Sequence, residues 1–403
     1  MILVTGGTGL VGAHLLFNLL NENQSVRAIY RNEKKFETVK RIFSYYTKTP
    51  DVLFNNIEWV KADLNNIPDL TEAFNGITHV YHCAAFVSFE PNKFELLRKT
   101  NIEGTANIVN LCLSNQVKKL CYVSSIAAIG TPTTNEKLIT EDTDWNKEFD
   151  NSVYAITKYG AELEVWRGTQ EGLDAVIVNP GIIIGPGIWN YGSGSLISMV
   201  KKGMSYYTTG TTGYVDVKDV VNCMIKLMQS SIINERYIVV SENLTFKDFI
   251  YKTAHYLNVT PPKKKATKLL LALGWRMDWL RHKLTGKRRL LSKQTAHSAL
   301  SQSQYDTNKI IRKWKSNLKE GIKSNFFLKN KINNGWMPPH TTIFIKKNIL
   351  EKVGYYDEGF KISSDYDYII KIFRENNFKI FFLDEFIVKM KTGGASNKNI
   401  KNI

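Results

Sequence analysis

The chain has 403 residues, 43% hydrophobic and 23% charged, an ordinary globular composition with room for two or three domains. No apolar run reaches the ~18 residues of a membrane span, which excludes a helical membrane-spanning protein. The formal net charge of +17 points to an acidic partner (a phosphorylated substrate, an anionic membrane surface or nucleic acid) or to a solvated Lys-rich surface.

Residues 1–4 (MILV) are apolar without polar alternation, as in a strand covered on both faces. A strand starting at Met1 leaves no room for a signal peptide. Thr5, Gly6, Gly7, Thr8, Gly9 and Gly12 follow, and Leu10, Val11, Leu15, Leu16, Leu19 and Leu20 then recur at helical spacing. A turn this tight, opening into a helix, gathers backbone N–H groups and the positive helix end at one point. That point suits a pyrophosphate, although the spacing is TGxxGxxG rather than GxGxxG. Residues 25–30 (SVRAIY) form a second strand ending at Arg31. A base at this place suits a ribose 2′-phosphate, so Arg31, with Lys34 and Lys35 nearby, favours NADP, with NAD as the alternative.

Residues 36–56 read as an insertion of helix and loop. Strands follow at 57–61 (IEWVK), before Ala62-Asp63-Leu64, and at 78–85 (THVYHCAA). The small residues ending the latter, Ala84 among them, allow close approach of a planar ligand, and His82 reads as a core residue. A helix is expected over 101–113, a strand over 120–125 ending in Ser124-Ser125, a helix from Tyr154, and a strand over 174–179 closed by Pro180-Gly181. This alternation predicts a Rossmann-type doubly wound parallel sheet in an α/β fold. Residues 185–215, punctuated by glycines, read as substrate loops, and Tyr214–Val221 as the start of a helix that Asp216 and Asp219 cap. Residues 261–289 carry ten Lys and Arg against Asp278 alone, interleaved with Leu, Trp and Met. This basic amphipathic segment reads as a lid helix, or as a helix lying on an anionic membrane. Residues 304–322 read as a closing helix, with a Lys/Asn-rich linker over 323–334. Cys83, Cys112, Cys121 and Cys223 lie in apolar runs without metal-ligand spacing, so they read as buried thiols in a cytoplasmic protein, and no metal site is expected.

Tyr154 and Lys158, four residues apart, share one helix face. A lysine cation beside a tyrosine lowers a pKa that is ordinarily about 10, so that Tyr154 can exchange a proton with a substrate oxygen. Ser125 would hold that oxygen by a hydrogen bond.

TGGTGLVG (5–12), ADL (62–64), CAA (83–85), NIEGT (101–105), YVSSIAAIG (122–130), YAITK (154–158) and NPGIIIGPG (179–187) occur in an order that resembles the extended short-chain dehydrogenase/reductases of the NAD-dependent epimerase/dehydratase superfamily. The resemblance covers residues 1 to about 325. It implies Ser125, Tyr154 and Lys158 as the catalytic set, with Asn101 supporting the lysine. It also implies a cofactor held by Gly6, Thr8, Gly9, Leu10, Val11, Gly12, Arg31, Asp63, Leu64, Ala84, Tyr154, Lys158 and Pro180. Lys158 would hold the nicotinamide ribose, Asp63 the adenine and Pro180 the nicotinamide side. Residues 86–89 (FVSF) and 139–145 (ITEDTDW) resemble the dihydroflavonol-reductase and 3-beta-hydroxysteroid-dehydrogenase branch, which reduces ketones or oxidises secondary alcohols. Asn179 stands where nucleotide-sugar epimerases commonly carry Arg.

The nucleotide-binding core is expected at about 1–185 and 215–240, and the substrate and lid region at about 186–214 and 241–325. Residues 336–373 resemble the acceptor half of a family 2 glycosyltransferase, with Asp365 at the place of its base. A reductase occupies the place of the nucleotide-sugar half, so 326–403 reads as a truncated or fused fragment without transferase activity, with a docking module as the alternative. The expected activity is hydride transfer between a nicotinamide and a small ketone or secondary alcohol. Its alternatives are a nucleotide-sugar epimerase or dehydratase in polysaccharide synthesis, and a non-catalytic dinucleotide-binding scaffold. The expected partners are a small-molecule substrate, an anionic membrane surface through 261–289 and a second copy in a homodimer. No specific nucleic acid is expected, because the charge is spread along the chain.

Overall fold

The computed structural model describes residues 1–131, 138–286, 289 and 291–317, with side chains as far as Arg312. The chain divides into two units, Met1–Arg312 and Lys313–Ile403. The glycosyltransferase-like tail expected at 326–403, and the linker before it, lie outside the described residues.

The first half alternates strand and helix: β1 (Ile2–Thr5), α1 (Leu10–Asn21), β2 (Val26–Tyr30), α2 (Phe36–Ser44), α3 (Pro50–Asn55), β3 (Glu58–Lys61), α4 (Ile67–Ala73), β4 (His79–His82), α5 (Phe94–Leu97), α6 (Gly104–Ser114), β5 (Lys119–Val123), α7 (Val153–Gln170) and β6 (Ala175–Pro180). The second half adds β7 (Ile182–Ile184), α8 (Gly194–Lys201), β8 (Tyr206–Tyr207), β9 (Thr211–Asp216), α9 (Val217–Gln229), β10 (Glu235–Val239), β11 (Glu242–Thr245), α10 (Phe246–Tyr256), β12 (Lys264–Lys265), α11 (Lys268–Thr285), α12 (Lys293–Ser298) and α13 (Asn308–Asn317).

Seven parallel strands form one sheet in the order β10-β6-β5-β4-β1-β2-β3. The strand order reverses between β1 and β4, and a ligand crevice opens beyond the carboxyl ends of the strands there. β5 and β6 are buried at every residue, because helices cover both faces and no alternation is needed. On one face Leu3, Val80, Leu120, Tyr122 and Ile177 join Ile108, Val109, Ala161 and Val165 of α6 and α7 in a single core. Three shorter strands, β11-β9-β7, make a second sheet. Val200, Tyr214, Phe249, Ile250 and Ala254 pack a smaller core beside it.

Three expectations need correction. The 185–215 region is not all loop: α8, β8 and most of β9 lie in it. Tyr214 and Val215 are strand, Tyr214 paired with both β7 and β11 and Val215 with β7, and the helix starts only at Val217. The carboxylate of Asp216 accepts the Lys218 N–H and caps that helix, as expected of an acid there. The expected 101–113 helix is a π-type turn at Arg98–Glu103 followed by α6, which brings Thr100 and Asn101 inward.

Candidate active site

The turn between β1 and α1 is built for close approach. Gly6 has φ +68°, and a Cβ on it would lie 2.7 Å from the Ala84 nitrogen at the end of β4. A Cβ on Gly12 would lie 2.3 Å from the Gly6 carbonyl oxygen, so α1 can begin this close to β1 only with glycine there. Gly9 stands at the N-cap, no side chain caps α1, and its first turn holds no acid. The first backbone N–H groups of α1, from Leu10, Val11 and Gly12, therefore have no partner within the helix and present a positive end toward Thr8 and Gly9. A cradle that any Cβ would fill, with free N–H donors at its floor, fits the pyrophosphate of a dinucleotide.

Beyond the cradle, β2 ends at Arg31, and Ala62-Asp63-Leu64 follow β3. Arg31 Nη1 lies 3.3 Å from Asp63 Oδ2. Burial raises the Asp63 carboxyl, but the Asn65 N–H and Arg31 outweigh it and hold the group below its usual range. Leu64 is buried, and its carbonyl accepts from Asn107 Nδ2 at 2.8 Å. Ala84 donates its N–H to Thr5 Oγ1 at 3.2 Å, and Pro180 ends β6, buried.

Ser125 follows β5 and Tyr154 lies in the first turn of α7, whose N-cap Ser152 accepts the Ala155 N–H. Burial pushes the Tyr154 phenol up to about 12, with the nearby Ser125 hydroxyl the smaller, opposing influence. The Phe89 ring packs edge-on to the Tyr154 ring at 5.4 Å. The lowered tyrosine pKa expected from Lys158 is not what this structure shows. Lys158 Nζ donates instead to Tyr122 Oη at 2.6 Å and to the Val123 carbonyl at 2.8 Å. It also lies 4.3 Å from the Tyr122 ring centre. Burial presses the Lys158 ammonium down to about 7, with the Glu162 charge pulling the other way. Asn101 holds the backbone of Phe86, accepting its N–H at 2.8 Å, and donates to Thr157 Oγ1 at 3.2 Å. Its bonds reach the residue before Lys158, not Lys158 itself.

Two buried groups stand behind this set that sequence reasoning did not single out. Tyr122 stacks on His82 with ring centres 5.4 Å apart; His82 Nε2 meets the Thr105 hydroxyl at 3.0 Å and His82 Nδ1 meets Thr5 Oγ1 at 2.6 Å. Tyr122 and His82 thus lie between the lysine and the edge of the glycine turn. His82 is core, as expected, and burial lowers its imidazole to about 3, so it is neutral. Glu162, one turn beyond Lys158, is the other group. Its Oε2 accepts from Ser124 Oγ at 2.7 Å and from Asn179 Nδ2 at 3.0 Å, and its Oε1 from Arg236 Nη1 at 3.0 Å. Asn179 Nδ2 also donates to the Ser125 carbonyl at 3.0 Å, so the carboxylate ties α7 to the backbone that carries Ser125. The one sequence signal for Glu162 is spacing: 154, 158 and 162 lie on one face. Tyr122 offers only strand parity, since 120 and 122 share the face that α6 and α7 cover.

The sequence profile of the NAD dependent epimerase/dehydratase family matches residues 2–240. The chain is 31% identical over 294 residues to the "Putative dihydroflavonol 4-reductase" of Synechocystis sp., covering 70% of this chain and 78% of that protein. It is 30% identical over 258 residues to the dihydroflavonol 4-reductase of Callistephus chinensis, covering 60% and 69%. Among solved structures, UDP-glucose 4-epimerase of Thermus thermophilus, in complex with NAD, superposes with a TM-score of 0.57 at 20% identity, over 78% of this chain and 92% of that one. At that identity the likeness concerns the fold. The profile covers more than half of the chain and spans the glycine turn, Ser125, Tyr154 and Lys158, so this protein belongs to the NAD dependent epimerase/dehydratase family of extended short-chain dehydrogenase/reductases.

Proposed function

We propose that this chain is an NADP-preferring oxidoreductase acting on a ketone or secondary alcohol of a small organic substrate. The observation that carries the reading is that Ser125 follows the carboxyl end of β5 and Tyr154 lies in the first turn of α7, on the elements that follow the glycine cradle. Bound there, the nicotinamide supplies or accepts the hydride. Tyr154 exchanges the proton at the substrate oxygen, and the Ser125 hydroxyl holds that oxygen. Lys158 holds the ribose, while Asn101 positions α7 through Thr157. Phe89, against the Tyr154 ring, covers the proton-exchanging group. Arg31 recognises the 2′-phosphate, and the dihydroflavonol reductases among the relatives support a carbonyl substrate.

The test is a cofactor-coupled screen of ketones and alcohols with NADPH and NADH. Tyr154→Phe is expected to lower kcat by about 100-fold or more while cofactor binding persists. Unchanged turnover in that variant would overturn the mechanism. A second reading, a nucleotide-sugar epimerase or dehydratase, draws on the family profile and predicts a redox-neutral product. Asn179 does not help it, being fully buried and bonded to Ser125 and Glu162 rather than facing a ligand. Tight cofactor binding with no turnover on either panel would instead support a dinucleotide-binding scaffold.

A further inference from the structure

We infer that α11 is an interfacial helix whose outer face docks on an anionic lipid surface. Of its 18 residues none is buried. Leu269, Leu273, Met277, Leu280 and Leu284 recur every three or four residues and form one stripe, with Leu269 71%, Met277 72% and Leu284 76% exposed. A soluble protein seldom leaves such a row of large apolar side chains uncovered.

The opposite face of the helix is engaged with the protein. Leu271, Ala272 and Trp275 line a cavity of about 390 Å³ together with Ala296 and Leu300. Asp278, the one acid between residues 261 and 289, is bonded to Arg281 Nη2 at 2.7 Å and accepts the Leu291 N–H at 3.1 Å. The outer face therefore holds no carboxylate. Lys263, Lys264, Lys265 and Lys268 crowd the start of the helix, exposed, and Arg276 and Lys283 flank the stripe. These two cations sit over the rings of Trp275 and Trp279, at 4.4 and 5.4 Å.

An apolar stripe edged by cations and by the exposed Trp279 indole matches the layering of a membrane surface, with acyl chains below and anionic headgroups beside. A second copy fits less well. A two-fold pairing through this stripe would set each cation cluster against its own copy, with no acid on either face to neutralise it.

The test is co-sedimentation of the full chain with vesicles of phosphatidylcholine alone and of phosphatidylcholine with phosphatidylserine, at low and high salt. Binding is expected on the phosphatidylserine vesicles, at least tenfold stronger than on phosphatidylcholine alone and weakened by salt. The variant L273E/M277E/L284E, altered only at exposed positions, is expected to lose it by tenfold or more. Substituting Lys263, Lys264 and Lys265 by Gln is expected to remove the preference for phosphatidylserine. Absence of binding, or binding untouched by the triple variant, would overturn the proposal. So would a concentration-dependent dimer, seen by light scattering and broken by the triple variant, in a protein that ignores both vesicles. The readout is binding and does not depend on which reaction the enzyme performs.

Discussion

Lys158 is the residue whose charge the protein controls most tightly. It is buried, its ammonium is brought down to about 7 by desolvation, and Glu162 is the largest opposing influence. Replacing Glu162 by Gln keeps an acceptor for Ser124 and Asn179 but removes the negative charge. The Lys158 pKa then falls further, because the largest influence opposing burial is gone. If activity requires the cation, it is present below that pKa and lost as the pH rises through it. The alkaline limb of kcat/KM is therefore expected near pH 7 in the parent and at lower pH in E162Q; a limb that stays in place would show that the charge of Glu162 does not reach the lysine. Arg31 gives a second expectation. Its pair with Asp63 is exposed and contributes little to stability, so Arg31→Glu should fold normally. It should lower the ratio of kcat/KM for NADPH over NADH by tenfold or more, measured with one substrate. Arg31, Ser125, Tyr154 and Lys158 were all legible as residue types at known spacings. Tyr122 and Glu162 were not, since a tyrosine inside an apolar run and a glutamate inside a helix read as packing and as surface until the partners around them are known.

At the scale of elements, the β1–α1 turn makes the sharpest demand. Gly12→Ala would place a methyl 2.3 Å from the Gly6 carbonyl, against backbone that has no room to move. Overpacking of this kind costs about 1–3 kcal/mol. Both a lower melting temperature and at least tenfold weaker dinucleotide binding are expected, measured by thermal melting and by titration. A variant that melts lower but binds normally would separate the turn's structural part from its binding part. The alternation of strand and helix over the first 180 residues was legible, apart from the π-type turn before α6, because the buried strands are short apolar runs and the helices repeat at 3.6. Past residue 185 the same reading failed at β9. Its residues 211–216, TTGYVD, include a glycine and an acid that look like a turn and a helix start. They are a strand because β7 and β11 lie on either side of them and supply the hydrogen bonds. That pairing joins residues far apart in the chain, and no local pattern records it.

For the whole molecule, we propose that residues 1–325 are sufficient for catalysis. The compact unit Met1–Arg312 contains both cores and every residue of the candidate site. A chain ending at 325 is expected to bind NADPH within about threefold of the full chain and to keep its turnover, a difference of less than about 1 kcal/mol. Loss of either would give residues 326–403 a part in the enzyme. Among the described residues no helix is long and apolar enough to cross a membrane. The sequence by itself determined the parallel α/β fold, the glycine turn and the positions of Ser125, Tyr154 and Lys158 on successive elements, because those depend on local periodicity and on residue types at fixed spacing. Only the tertiary structure decided which groups surround Lys158, that Asn179 is buried, and which face of α11 stays uncovered. Burial and charge at a site are set by side chains from distant strands and helices, and only packing brings those together.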